Sequence, residues 1–263
     1  MKPVTVPELA RLHGAARRDA LEQAAGYFDD RSFRAGDPVG FVWSFGNNRD
    51  REIASWMAAA LAYGRVASIL QGLADLNQRW EFQPHAFVTQ ASRVEQRKAL
   101  KGFVYRWTRD HHVLGYLRGY AAVHSEGDIA QRLAQQADPR PGGYRRAVAW
   151  LAKEIRATGE PDPGHLLPDP SANSACKRLA MWLRWMVRQD EIDPGLWADV
   201  LSPAYLWVPL DTHMFRIAKR LRLTRRRLPD AEAAHRITAA FARMCPEDPV
   251  KYDFAITRLG MGV

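Results

Sequence analysis

Apolar residues recur at three- and four-residue intervals along most of the chain and nowhere alternate over the length of a strand. No other property of the sequence restricts the fold so much. Ile53, Trp56, Met57, Ala60 and Leu61 form one such stripe, and Val66, Ile69, Leu70 and Leu73 form a second beyond Gly64. Val113, Leu114, Leu117 and Ala121 follow, then Tyr144, Ala147, Val148, Leu151 and Ile155. Near the end stand Ala233, Ile237, Ala240, Phe241 and Met244, then Tyr252, Ala255, Ile256 and Leu259. A sheet face needs period two and a helix face period 3.6, so the fold class is all-α, a compact bundle of about ten helices. At 263 residues and 47% hydrophobic, the chain can bury a large core without disulfides. It reads as one unit over 1–263, with two interleaved lobes, 1–50 plus 172–263 and 51–171, as the finer division.

Punctuation refines this. Glu8 to Phe28 is rich in Ala, Leu, Glu and Arg and reads as a solvent-facing helix. Asp29 to Arg49 is full of turn residues and reads as a long connection, after which Asp50 caps the next helix. Asp110, Asp230 and Asp248 are placed to open helices, and Gly260 to stop the last. Thr158 to Pro170 holds four prolines and two glycines and reads as irregular. His111 and His112 are adjacent, so they point in different directions and read as surface rather than as a metal pair.

Net charge is +9, with a pI of 9.8, and much of the excess is arginine, densest at Arg225, Arg226 and Arg227. Such a chain suits a polyanion partner, because guanidinium groups fork onto phosphates and stack on bases. Only Cys176 and Cys245 are present, too few for a disulfide framework or a four-cysteine metal site. The N-terminal stretch Met1–Glu8 has no apolar signal core, and no run approaches a membrane span. The expectation is a cytoplasmic monomer without cofactor, metal or iron–sulfur cluster.

Two segments carry candidate chemistry. In Ser174–Arg188, Lys177, Met181, Arg184 and Arg188 fall on one side of a helix, with Leu179, Trp182, Leu183, Met186 and Val187 on the other and Arg178 and Trp185 on the flank. The first side reads as a cationic face and the second as a core face. In Pro209–Lys219, Asp211 precedes the stripe Met214, Ile217, Ala218 and Leu221 and is a competent N-cap. Taken alone, Lys177 reads as a surface lysine and Asp211 as a cap.

The stretches Glu52–Arg65, Cys176–Arg188, Asp193–Trp197, Pro209–His213 and Asp248–Phe254 resemble the domain of unknown function 2400 family of bacterial proteins. More distantly, Leu210-Asp-Thr-His213 followed by Phe215-Arg-Ile-Ala218 is similar to the aspartate segment of helix-hairpin-helix DNA glycosylases of the endonuclease III and archaeal 8-oxoguanine glycosylase type. The chain differs from them in having Asn173-Ser174-Ala175-Cys176 where a glycine-containing hairpin precedes the lysine. That resemblance implies a two-lobed glycosylase fold, duplex DNA with a lesion as partner, and Lys177 and Asp211 as the catalytic pair. It implies a DNA repair glycosylase with abasic-site lyase activity through a lysine Schiff base. Burial and neighbouring Arg178, Arg184 or His213 would favour the neutral amine. Tyr63, Trp182 and Trp185 would stack on a flipped base, while Arg65, Arg216, Lys219 and Arg225 to Arg227 would hold phosphates. The alternative is a non-catalytic basic helical nucleic-acid-binding protein.

Overall fold

The computed structural model describes residues 3–262; Met1 and Lys2, which open the N-terminal stretch considered above, and Val263 lie outside them. The described residues form α1 (Val6–Arg11), α2 (Gly14–Phe28), α3 (Pro38–Trp43), α4 (Asn48–Leu61), α5 (Val66–Arg79), α6 (Pro84–Thr89) and α7 (Arg93–Leu100). After a hairpin of β1 (Val104–Tyr105) and β2 (Thr108–Arg109) come α8 (Asp110–Ser125), α9 (Ile129–Gln136), α10 (Tyr144–Thr158), α11 (Lys177–Val187), α12 (Thr212–Arg220), α13 (Ala231–Ala242) and α14 (Asp253–Met261). The fold is all-α. None of the helices among the described residues is long and apolar enough to cross a membrane.

Fourteen helices stand among the described residues where about ten were expected, and the excess is in short pieces. The stretch from Glu8 to Phe28 is two helices, broken at Leu12 and His13, and the second opens on Gly14, whose φ of +53° a side-chain-bearing residue adopts only with strain. It is not wholly solvent-facing either, since Leu9, Leu21, Ala24 and Phe28 are buried. The connection from Asp29 to Arg49 contains α3, capped by Asp37 with Pro38 in its first turn, and sends Val39 and Val42 into the core. Six residues are too few to display a helical period. Asn47, not Asp50, caps α4, and Asp50 instead accepts the His85 N–H at 2.9 Å. The last helix starts at Asp253 rather than at Asp248 and runs through Gly260 to Met261, with Gly262 as its C-cap. Gly260 is a contact residue: a Cβ there would strike Ile217 of α12. The two-residue strands of the hairpin escape any search for alternation.

One contiguous cluster of buried residues runs from Val6 to Ile256. Within it α8 packs on α10, α4 on α3 and α11, and α14 on α2 and α12. The middle is aromatic. Trp56 of α4 stacks on Tyr116 of α8 at 4.4 Å and meets Trp182 of α11 edge-on at 4.7 Å, and Trp182 in turn meets Trp197 at 5.2 Å. Each such ring stabilises the fold by a few kcal/mol through burial, with ~0.5–1.5 kcal/mol more from ring geometry. The column fixes α11 against the core, and so fixes the direction in which Lys177 leaves it.

Candidate active site

Two irregular segments bring the sequence-separated groups together. Leu206 to Leu210 is an extended, fully buried run. The Trp207 indole N–H donates to the Ala175 carbonyl at 3.3 Å, and the Val208 N–H donates to Thr238 Oγ1 at 3.0 Å. The run ends at Asp211, whose Oδ1 accepts the Met214 N–H at 2.7 Å and caps α12 as its local sequence requires. Opposite it, the Arg145 guanidinium holds the carbonyls of Ala172 and Ser174, and Asn173 accepts the Ala231 N–H. Cys176, buried and at φ +50°, turns the chain into α11 without a side-chain cap, so Lys177 is the first helical residue. The Lys177 Nζ then lies 3.2 Å from Asp211 Oδ2, with side-chain exposures of 34% and 33%.

The electrostatics of this pair are asymmetric. Burial works against a charge on Asp211, but the Lys177 ammonium and the Met214 N–H outweigh it and hold the carboxyl below its ordinary range. Asp211 is therefore an anion at neutral pH. A cation on the first residue of a helix faces the positive end of the helix dipole, which costs about 0.3–1 kcal/mol at an exposed site. A partly exposed ion pair returns about 0–1 kcal/mol. The fold thus gains little by placing a lysine there.

Beyond Lys177, the cationic face expected for α11 is turned inward. Arg184 is 4% exposed, forks onto Asp193 through two 2.9 Å bonds and donates to Asp253 at 2.6 Å. Arg188 pairs with Asp190, Asp193 and Asp248. Burial disfavours the Arg184 charge, yet Asp193 and Asp253 overcome it and keep the guanidinium charged. Burial also pushes the Asp253 carboxyl up to about 6 against the pull of Arg184, with Asp211 adding to the push. The counter-charges all come from outside the helix, Asp190 and Asp193 just beyond its end and Asp248 and Asp253 60 and 69 residues past the arginines they pair with, so the helix sequence alone could not distinguish a wet stripe from a compensated one.

Other assignments change for the same reason. Trp185 and Trp182 are buried and cannot stack on a ligand. Arg178 is half-buried and spends its donors on the carbonyls of Ala60 and His165, tying α4 to the turn at Gly164–Leu166. Tyr63 is half-buried, hydrogen-bonded to Thr108 and stacked on Trp107 at 5.1 Å, so it supports another ring. Arg65, Arg216, Lys219, Arg225 and Arg227 are exposed, as a phosphate-binding role requires. Arg226 is tied to Asp230, and its carbonyl accepts from Lys219. His213 is half-buried, with Nδ1 against Arg216 at 2.9 Å and Nε2 buried without a partner. His213, Arg216, Lys219 and Arg220 line a groove of about 610 Å³ between α12 and the ends of α1 and α14.

Sequence reading missed Trp107, 55% exposed at the hairpin turn, and the acids Asp193 and Asp253. In the sequence the acids stood only within the stretches Asp193–Trp197 and Asp248–Phe254 that carried the family resemblance. No curated protein and no solved structure matches the chain. The description "protein of unknown function" (DUF2400) matches residues 37–262, spanning all the stretches that carried the resemblance, and the chain therefore belongs to the DUF2400 family.

Proposed function

We propose that the protein is a DNA repair glycosylase with abasic-site lyase activity, in which Lys177 is the nucleophile and Asp211 its acid–base partner. The observation that carries this reading is the 3.2 Å contact between Lys177 Nζ and Asp211 Oδ2, partly exposed at the starts of two helices and held by buried segments. In the proposed reaction a nucleotide leaves the stack, since its glycosidic bond is out of reach within the duplex. Asp211 takes a proton from Lys177, the neutral amine bonds to C1′ as the C1′–N bond breaks, and Asp211 passes that proton to the departing base and is a carboxylate again. The Asp211 carboxylate stabilises the positive charge that develops on the sugar. The sugar ring opens as O4′ takes a proton from the amine nitrogen, giving a protonated imine between Lys177 and C1′, and transfer of a C2′ proton to Asp211 expels the 3′ phosphate by β-elimination. Strand cleavage follows without any metal entering the scheme.

Borohydride reduces such an imine to a stable protein–DNA adduct. Duplexes carrying an abasic site or an oxidised base, incubated with borohydride, are expected to trap wild type and not Lys177→Ala. Trapping undiminished in Lys177→Ala, or no trapping of wild type on a panel of lesions, overturns the assignment. The exposed cations Arg216, Lys219, Arg225 and Arg227 favour the second reading, a non-catalytic nucleic-acid-binding protein. That reading predicts salt-sensitive binding indifferent to Asp211→Asn.

A further inference from the structure

The β1–β2 hairpin is a small element with much holding it in place. Tyr105 and Thr108, its inward residues, are buried, and the Tyr105 hydroxyl donates to the Tyr63 carbonyl. Thr108 Oγ1 is hydrogen-bonded to the Tyr63 hydroxyl and lies 2.9 Å from His165 Nε2. Gly64, at φ +99°, leaves room for the Arg106 guanidinium, which a Cβ at that position would strike. Arg106 itself sits at φ +54°, a left-handed conformation that costs a non-glycine residue about 1 kcal/mol or more and persists only where the surroundings enforce it. All this anchoring presents Trp107 to water at 55% exposure, the one aromatic ring among the apolar side chains that the hairpin exposes.

The supports of Trp107 lie on one side of its ring. Tyr63 stacks on it at 5.1 Å with planes 21° apart, and the Arg106 guanidinium lies 4.6 Å from its centroid. Arg106 is also only 5.8 Å from the Tyr63 ring. Were Arg106 and Tyr63 on opposite faces of the indole, their separation would approach the sum of the two shorter distances. His165, 6.2 Å from Trp107 and 5.9 Å from Tyr63, belongs to the same side. The other face of the indole is the exposed one. Arg106 and Arg109 of the hairpin, and Arg65 next to Gly64, are exposed as well. The cluster also adjoins the start of α11: Arg178, next in the chain to Lys177, has its guanidinium 5.5 Å from the Tyr63 ring.

We infer that the hairpin is a stacking platform on which the free face of Trp107 receives an unpaired nucleobase, with the surrounding arginines taking the adjacent phosphates. This rests on the proposed function for its choice of partner. A rigid indole backed by a second ring loses little freedom on stacking, and every base offers a π-face, so the platform is indifferent to sequence. The net charge of +9 matches a polyanion better than an aromatic peptide or a neutral sugar.

The test measures anisotropy of labelled oligonucleotides with the full chain: a single strand, a duplex with one unpaired base, and a fully paired duplex. Trp107→Ala is expected to weaken binding to the first two by tenfold or more and to the paired duplex by twofold or less. Trp107→Phe should recover most of the loss, and neither variant should change the slope of log Kd against log salt, because no phosphate contact is removed. Arg106→Ala should reduce that slope by about one. Trp107→Ala binding the unpaired substrates within twofold of wild type overturns the platform, as does equal loss on all three substrates. Borohydride trapping separates the two claims. Trapping with unaltered Trp107→Ala binding leaves the lysine chemistry and removes the platform. Tenfold weaker Trp107→Ala binding without wild-type trapping leaves the platform and removes the lyase. Absence of wild-type binding to any of the three at low salt removes both.

Discussion

The two ends of α11 treat their cations differently. At its start Lys177 meets one carboxylate and keeps a third of its side chain in solvent. Two to three turns later, Arg184 and Arg188 share four carboxylates in the interior. The positions lie on one face of one helix, so the local sequence does not distinguish them. What separates them is the number of counter-charges the rest of the chain delivers. Charges surrounded by several fixed partners serve architecture, since their exchange or titration would unsettle the core. A charge left with one partner and an opening to water can change its protonation state without unfolding anything.

Arg184→Ala is the strongest way to test this contrast. It leaves buried Asp193 and Asp253 short of their main counter-charge and is expected to cost about 3–5 kcal/mol, read from the denaturant midpoint. Arg184→Lys should recover only part, because an ammonium cannot fork onto Asp193. Asp211→Ala comes next, at about 1–2 kcal/mol, chiefly from the lost cap, and Asp211→Asn should restore most of that stability because asparagine caps equally well. Lys177→Ala should change stability by less than about 1 kcal/mol while abolishing trapping. If Lys177→Ala destabilised the protein as much as Arg184→Ala, the distinction between the two ends would fail.

The smallest effect concerns pH, and the two aspartates should differ in sign. Asp211 titrates lower in the folded protein than in the unfolded chain, where its value is about 3.9. Its stabilisation is complete above that value and is lost as pH falls through the folded one. Asp253 is raised to about 6, so the folded state holds its proton between roughly pH 4 and 6. Wild type should therefore lose stability relative to Asp253→Asn as pH climbs through that interval. Relative to Asp211→Asn, it should lose stability only in stronger acid. Denaturation series from pH 3 to 7 on the three proteins would show both slopes, and slopes of the same sign would refute the opposed environments.

Long helices with a sustained stripe, such as α4, α8 and α10, were legible in the sequence because their period is a local property. So were the caps Asp211 and Asp230, whose side chains satisfy the N–H groups just after them. A helix of six residues such as α3, and the two-residue strands, carry too little pattern to read. Lys177 and Asp211 were named as candidates from sequence, but their contact depends on where Leu206–Leu210 runs through the core. Arg184 was misjudged because its partners stand at Asp193 and Asp253, one of them 69 residues away. Trp107 was missed because exposure is a tertiary fact, and an Arg-Trp pair in a short loop has no periodicity to betray it.

The buried bond from the Trp207 indole to the Ala175 carbonyl makes the interior a ruler for the surface. The run that carries Asp211 and the turn that launches Lys177 are pinned at this point, one residue outside the turn at Cys176. The gap between amine and carboxylate is therefore set by how tightly tryptophan fills its slot. A smaller residue at 207 would alter that gap without touching either group, so loosening of the core would register in the Lys177–Asp211 contact before any helix melted.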